Sequence, residues 1–378
     1  MQRSIIYLGI DVDDNSFTCV GVNSDGHEVL GFKTKPSAEA LIKKIKSIKN
    51  SDILSCYETT YIGFSLARKL IEANLNCSVV AASMIPDIPS DMVKTDRIDA
   101  QKLALYFSKG LLTTVRIPDQ LDETVSHLTR LRKAIQNQLK DSRLRLQSEC
   151  RVFGISPIKI NRYNKTAKAS ALMEINQVKY EPYREILIMQ VDYIFKQCEQ
   201  LQNIEKQIEN WSEHERYKNR SEALCCLRGI KTLTAMTLIS EIGDIHRFAH
   251  PNKLVSYLGL DIKEYSSGGR EKKYGITKMG SSRLRTAVVE SCQILPKSSI
   301  ARPKLMSRRS MVPLEYIRVA KKHDERIYNK AMRMNMRGLH GNKIKVACAR
   351  ETVGFIWEML KIVDQETRSP VSNTKEQP

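Results

Sequence analysis

The chain has 378 residues, enough for two or three domains at roughly 150 residues each. Hydrophobic residues make up 42% and charged residues 27%, a globular balance that excludes disorder of the whole chain. Lysine and arginine number 61 against 42 acidic residues, and the resulting +19 predicts a polyanionic partner, nucleic acid or an anionic membrane surface. No run of about 18 apolar residues occurs, so no membrane span is expected. The apolar stretch Ile5–Ile10 stops at Asp11, too short for a signal peptide. The nine cysteines are irregularly spaced and form no C-x-x-C pair, which reads as reduced cytosolic thiols without a zinc site or disulfide framework.

Along the chain, residues 4–12 alternate and are β-branched, a strand. Residues 16–23 and 27–33 read as two more, with the turn residues Asn23-Ser24-Asp25-Gly26 between them. A helix follows from Ser37, its expected N-cap, to Ile48. Residues 53–57 are a fourth strand, 64–73 a helix, 77–81 a fifth strand. After a proline-containing loop, a helix spans about 96–108. From about Asp119 the pattern turns helical, with Val125, Leu128, Leu131, Ile135 and Leu139 at spacings of three and four, and 182–212 alike. Two long helices joined by an irregular stretch, 154–168, predict an antiparallel hairpin or coiled coil; a plain helical domain has the same periodicity. Leu227–Leu233 resembles a helix-hairpin-helix turn, in which Lys231 stands where a second glycine is usual. Glu264–Arg270 reads as an irregular, small-residue loop. Val353–Val363 is a closing helix, and 365–378 a disordered tail.

Charge is uneven. Residues 1–100 carry 11 basic and 13 acidic side chains, whereas 297–350 carry 15 basic and 3 acidic. The second segment includes Arg308, Arg309, Lys321 and Lys322. Such a cationic stretch binds phosphates without reading base sequence, although a solvated basic face has the same composition.

Four carboxylates belong together. Asp11 ends the first strand and Glu58 follows the fourth. Asp96 and Asp99 are three apart, on one helix face. Three consecutive hairpin strands, then helix, strand, helix, strand, helix, is the ribonuclease-H-like order. It places the first and fourth strands side by side with the last helix nearby. There the four side chains converge and suit two Mg²⁺ ions, for which Mn²⁺ substitutes, acting on a phosphodiester. The bland alternative makes Asp96 an N-cap and Asp11 a turn residue. His246 and His250 are four apart but lack the glutamate of a zinc helix, and no nucleotide-binding P-loop occurs.

Gly9-Ile10-Asp11-Val12, Tyr57-Glu58 and Lys94–Ala100 resemble the DEDD motif of the insertion-sequence one-ten family transposases, a group that includes the Piv/MooV invertases and bridge-RNA-guided recombinases. Leu227–Phe248, Tyr257-Leu258-Gly259-Leu260, Ser266-Ser267-Gly268-Gly269 and Gly275–Gly280 resemble its C-terminal transposase domain, in the eleven-eleven branch. The resemblance implies a RuvC-like domain at 1–115, a helical coiled-coil region at 116–215, a mostly helical transposase domain at 216–364 and the tail beyond. It implies a DNA recombinase with metal on Asp11, Glu58, Asp96 and Asp99 and a serine nucleophile at Ser267, with Ser266 competing. Lys231, Arg270, Lys272, Lys273, Lys278 and Arg283 join the basic segment as nucleic-acid contacts. The implied partners are double-stranded DNA of element ends and target, a noncoding bridge RNA, and further copies of the chain in a dimer to tetramer. The implied location is the cytoplasm of a bacterium or archaeon, at the nucleoid. A water-using, metal-dependent Holliday-junction nuclease and a non-catalytic nucleic-acid-binding protein are the rival readings.

Overall fold

The computed structural model describes residues 4–59, 61–82, 85, 95–160, 164–267, 270–297, 300 and 302–368, without the side chains of 265–273, 296, 297, 367 and 368. It divides into two compact units, Met1–Asp119 and Gln120–Pro378.

The first unit is a six-stranded sheet with helices on both faces. Its strands are β1 (Ser4–Val12), β2 (Phe17–Val22), β3 (Glu28–Thr34), β4 (Ser51–Glu58), β5 (Asn76–Val80) and β6 (Thr114–Val115). They lie in the order β3-β2-β1-β4-β5-β6. The first three form antiparallel hairpins, and β1, β4 and β5 run parallel. The element order matches that expected, with β6 as an extra two-residue edge.

Alternation assigns the two faces. Leu8, Ile10 and Val12 of β1 pack with Leu41 and Ile45 of α1 (Ala38–Lys46) and Leu66 and Leu70 of α2 (Ser65–Glu72). The opposite face carries α3 (Asp96–Ser108): Tyr7 meets Phe107 edge to face at 5.9 Å, and Cys56 Sγ lies 3.8 Å from the Leu103 carbonyl. Gly9 permits this approach. A Cβ built there would lie 2.1 Å from the Ala100 carbonyl oxygen and 2.6 Å from the Ala104 nitrogen, so only glycine lets α3 settle on the strand.

The second unit opens with α4 (Gln120–Val152) and α6 (Glu181–Ser212), packed antiparallel. Leu139, Leu146 and Cys150 meet Leu187, Val191, Ile194 and Cys198, and Arg132 bonds Glu205 at 2.7 Å. Between them lies α5 (Lys165–Asn176), a helix that begins in the last residues of the stretch 154–168 expected to be irregular. Its Asn164 side chain accepts the Ala167 N–H at 2.8 Å, a sound N-cap.

The chain continues through α7 (Lys218–Cys225), α8 (Thr232–Ile242), α9 (Pro251–Tyr257), the hairpin β7 (Ile262–Ser267) and β8 (Arg270–Ile276), then α10 (Ser282–Ser291), α11 (Pro303–Arg309), α12 (Leu314–Met336) and α13 (Gly341–Arg368). One core joins α4 and α6 to these helices through Ile135, Ile208, Tyr217, Leu224, Met236 and Phe355. The closing helix is therefore far longer than Val353–Val363, and it ends inside the expected tail; residues 369–378 lie outside the described residues. The stretch Glu264–Arg270, expected as a loop, is instead strand up to Ser267. No helix among the described residues is long and apolar enough to cross a membrane.

Candidate active site

Asp11 occupies the last inward position of β1 on the α3 face, two residues beyond Gly9. Parallel register pairs Ile10 with Tyr57, so Glu58 stands beside Asp11 on the neighbouring strand and the same face. Asp96 and Asp99 lie in the first turn of α3, whose N-cap Thr95 accepts the Ile98 N–H at 3.3 Å. The helix that Gly9 admits thus delivers both aspartates to the edge where β1 and β4 end.

The electrostatics record this gathering. The Asp11 carboxyl is pushed up from 3.8 to about 6, first by burial and then by Asp96, Asp99, Asp13 and Glu58. Asp13 is a fifth carboxylate that the motif does not single out. Its sequence signal is the acidic run Asp11-Val12-Asp13-Asp14, in which residues 11 and 13 share a strand periodicity.

The donor set fits a hard divalent cation. All its oxygens are carboxylate, without sulfur or imidazole, and their mutual repulsion is what such an ion relieves. Asp11, Glu58, Asp96 and Asp99 are the groups that would hold it.

Ser266 and Ser267 are the last paired residues of β7, opposite Glu271 and Arg270 of β8. The side chains of both serines and of Arg270, Lys272 and Lys273 lie outside the described residues. The base of this hairpin is tied by backbone hydrogen bonds. The Thr277 N–H bonds the Asp261 carbonyl at 2.8 Å and the Lys278 N–H bonds that of Gly259 at 3.1 Å. Arg285 ties the Leu258 and Lys278 carbonyls at 2.9 and 3.3 Å. Gly259 and Gly280, both at positive φ, abut the backbone on the other side of the hairpin's base, where a Cβ would lie 2.6 Å from the Met279 oxygen or 2.4 Å from that of Tyr257. The glycine motifs at 257–260 and 275–280 are thus the two halves of one clasp that roots the serine hairpin.

The cations separate into two kinds. Lys231 is exposed at the N-cap of α8, and Lys278, Arg283, Lys321 and Lys322 are exposed. Arg283 borders a groove of about 820 Å³ between α4, α8 and α10. Arg309 corrects the expectation of a nucleic-acid contact. It is 4% exposed, and its guanidinium is spent on the Cys226 carbonyl and on Asp324 at 2.7 Å. Arg308 is half-buried and donates to the Ile230 carbonyl at 3.3 Å. Arg326 and Lys330 both bind Glu351 at 2.7 Å, holding α12 to α13.

Asp244, His246 and Asp364 form a second cluster with ligand atoms within 4.8 Å of one another. Protein cations already serve it. Arg220 grips Asp364 through two bonds of 2.7 and 2.8 Å, and the Lys361 ammonium donates to His246 Nδ1 at 3.1 Å. A metal would have to displace both, so the cluster reads as a structural node. His250 caps α9, its Nδ1 accepting the Asn252 N–H at 3.2 Å.

Comparison with known families agrees with this geometry. Residues 8–167 match the DEDD transposase domain of the IS110 type, and residues 221–302 match the family described as transposase IS116/IS110/IS902. The chain is 28% identical over 371 residues to the transposase-named protein y4qE of Sinorhizobium fredii, covering 96% of this chain and 90% of that one. It is 27% identical over 342 residues to the transposase for insertion sequence element IS1533 of Leptospira borgpetersenii, covering 87% and 96% of the two chains. It is 23% identical over 337 residues to the transposase for element IS1111A of Coxiella burnetii, covering 82% and 85%. The carboxylate-bearing sheet and the clasped hairpin fall within the two matched domains, in the family's order, and the chain belongs to the IS110/IS116 family of insertion-sequence transposases, enzymes that cut and rejoin DNA.

Proposed function

We propose that this transposase exchanges DNA strands through two cooperating centres, a divalent-metal site on Asp11, Glu58, Asp96 and Asp99 and a nucleophile at Ser267. The observation that carries the reading is the gathering of carboxylates from β1, β4 and α3 around Asp11, whose pKa is raised to about 6 by burial first and then by these neighbours. In this reading the first unit is a ribonuclease-H-like, RuvC-like domain at 1–115. A coiled-coil region at 116–215 and a transposase domain at 216–364 follow. Mg²⁺, with Mn²⁺ able to replace it, would polarise the phosphodiester and favour an ionised attacking oxygen.

The chain's own residues do the rest. The Ser267 hydroxyl forms a new bond to phosphorus and gives up its proton. The bond from phosphorus to the departing strand's oxygen breaks, and that oxygen takes up a proton. One phosphodiester replaces another, so rejoining is the reverse exchange with a new strand and requires no nucleotide hydrolysis, in keeping with a sequence that lacks a P-loop. Arg270, Lys272 and Lys273 follow Ser267 and supply charge for the strand being cut. Lys231, Lys278, Arg283, Arg308, Lys321 and Lys322 hold DNA and guide RNA.

The DNA partners are the element ends and the target duplex, selected through a bridge RNA, in the nucleoid of a bacterial or archaeal cytoplasm. An exposed apolar stripe on α6, made of Tyr183, Ile186, Met189 and Tyr193 at helical spacing, supports assembly of a dimer or tetramer through the long helices.

The test is a covalent trap. Wild-type protein incubated with its element-end DNA, guide RNA and Mg²⁺, then denatured, is expected to carry a nucleotide on the peptide containing Ser267. Ser267→Ala should bind DNA normally and yield no adduct. Wild-type recombination by Ser267→Ala, or cleavage without an adduct, would transfer the reading to a nuclease that uses water.

A further inference from the structure

The carboxylates are part of a longer row. Register places Asp11 opposite Thr18 on β2, and Thr18 opposite Lys33 on β3. Directly paired residues project from the same face, so Glu58, Asp11, Thr18 and Lys33 stand side by side across four strands. At about 4.8 Å per strand the row spans about 14 Å along the edge where α3 begins. Only its first two members have a role so far.

Thr18 is 4% exposed, and its hydroxyl finds no hydrogen-bond partner among the described residues. A buried hydroxyl left unpaired is costly, and valine would fill the same space without that cost. The Lys33 ammonium lies 3.6 Å from the Asp96 carboxylate, with both side chains more than half exposed. An exposed pair of this kind contributes little to folding. The neighbouring cation, Arg97, is bound to Glu28 instead. Lys33 is therefore a cation of slight structural value held against a carboxylate of the site.

We propose that Thr18 and Lys33 extend the carboxylate site into a subsite for a nucleic-acid phosphate. Lys33 Nζ binds a non-bridging oxygen of the strand held at the metal, and the Thr18 hydroxyl bonds a water between that phosphate and Asp11. The charge balance favours this. Asp11, Asp13, Glu58, Asp96 and Asp99 carry five negative charges when ionised, and two divalent ions leave one, which Lys33 cancels before the polyanion arrives. Without metal, Lys33 rests on Asp96; with metal sharing Asp96, the ammonium is released toward substrate. This inference rests on the metal-site reading of the carboxylates.

Full-length wild-type, Lys33→Met, Lys33→Arg and Thr18→Val proteins provide the test. Mn²⁺ binding is followed by electron paramagnetic resonance, and affinity for a fluorescein-labelled DNA oligonucleotide by anisotropy in Ca²⁺ and in EDTA. Wild type should bind the oligonucleotide more tightly in Ca²⁺ than in EDTA. Lys33→Met should lose most of that gain, keep its affinity in EDTA, and bind Mn²⁺ up to about fivefold more tightly, the range set by an exposed ion pair. Lys33→Arg should restore the gain. Thr18→Val should lose part of the Ca²⁺ gain without lowering the melting temperature. Full retention of the Ca²⁺ gain in Lys33→Met would overturn the proposal. So would weaker Mn²⁺ binding in that variant, which would make Lys33 a prop for Asp96, or a full Ca²⁺ gain in Thr18→Val. A wild type whose Mn²⁺ binding is indifferent to Asp99→Asn would overturn the metal site itself, a distinguishable result.

Discussion

The two units treat acidic side chains in opposite ways. In the helical unit every strongly buried aspartate is matched to cations or donors. Asp122 takes two bonds from Arg216 and one from the Tyr217 hydroxyl, Asp364 takes two from Arg220, and Asp324 sits among Arg309, Arg228 and His323. In the sheet unit the charges acting on Asp11 are four other carboxylates. Paired buried charge holds helices in register. Like charge gathered at a strand edge works against folding and is explained by what it binds. The contrast separates structural from functional acids more sharply than burial does, because Asp11 is less buried than Asp122, Asp324 or Asp364.

The contrast breaks most decisively at the active site. Asp99→Asn is expected to abolish strand exchange while leaving circular dichroism and melting temperature near wild type. An unfolded Asp99→Asn protein, or one that still recombines, would place Asp99 with the structural acids.

The next largest effect lies in the other unit and has the opposite character. Asp364→Ala strands the Arg220 guanidinium, and Asp324→Ala strands Arg309 and Arg228. Each should cost about 3–5 kcal/mol in urea unfolding, the scale of a half-removed buried pair. Burial holds the His323 pKa below the ordinary histidine value, against the pull of the adjoining Asp324. A loss under about 1 kcal/mol in either variant would show that these pairs do not hold the helices.

How much of the molecule is legible in the sequence follows the same physics. The sheet unit is legible because alternation and hairpin turns are local, and Asp11, Glu58, Asp96 and Asp99 each lie at or within a turn of an element's end. Thr18 and Lys33 are not, since their place beside Asp11 depends on register across three strands. In the helical unit α5 escapes because its polar, alanine-rich sequence buries only Ala171 and Ile175. The hairpin reads as a loop from its small residues, although a Gly-Gly pair between two strand-forming runs is also a two-residue hairpin signal. Arg309 shows what composition cannot tell: a charge count does not distinguish an arginine facing phosphate from one facing Asp324.

That distinction gives the third expected effect. Replacing Arg318, Lys321 and Lys322, all exposed on α12, with alanine should flatten the slope of log affinity against log salt by up to about 2.7, near 0.9 for each phosphate no longer neutralised. Melting should be unchanged. Arg309→Met should leave the slope alone and destabilise the fold. An unchanged slope in the triple variant would leave those cations as surface solvation.

The smallest effect tests burial and repulsion at Asp11 together, in protein stripped of divalent ions. Its folded pKa, about 6, lies above the ordinary 3.8, so the folded state prefers the protonated form. Its favourable contribution is complete below pH about 3.8 and is lost as pH rises through about 6. Asn has no proton to lose. Asp11→Asn should therefore match wild type near pH 4 and become progressively more stable than it up to about pH 7, with a constant gap above. The full shift corresponds to about 3 kcal/mol, and solvent screening of a half-exposed carboxyl reduces the expected gap to about 1–2 kcal/mol. Saturating Mg²⁺ should close or reverse the gap, because the ion stabilises wild type through the charge that Asn lacks. A gap independent of pH between 4 and 8 would mean that the five carboxylates do not share one field, and the sheet edge would then resemble the helical unit after all.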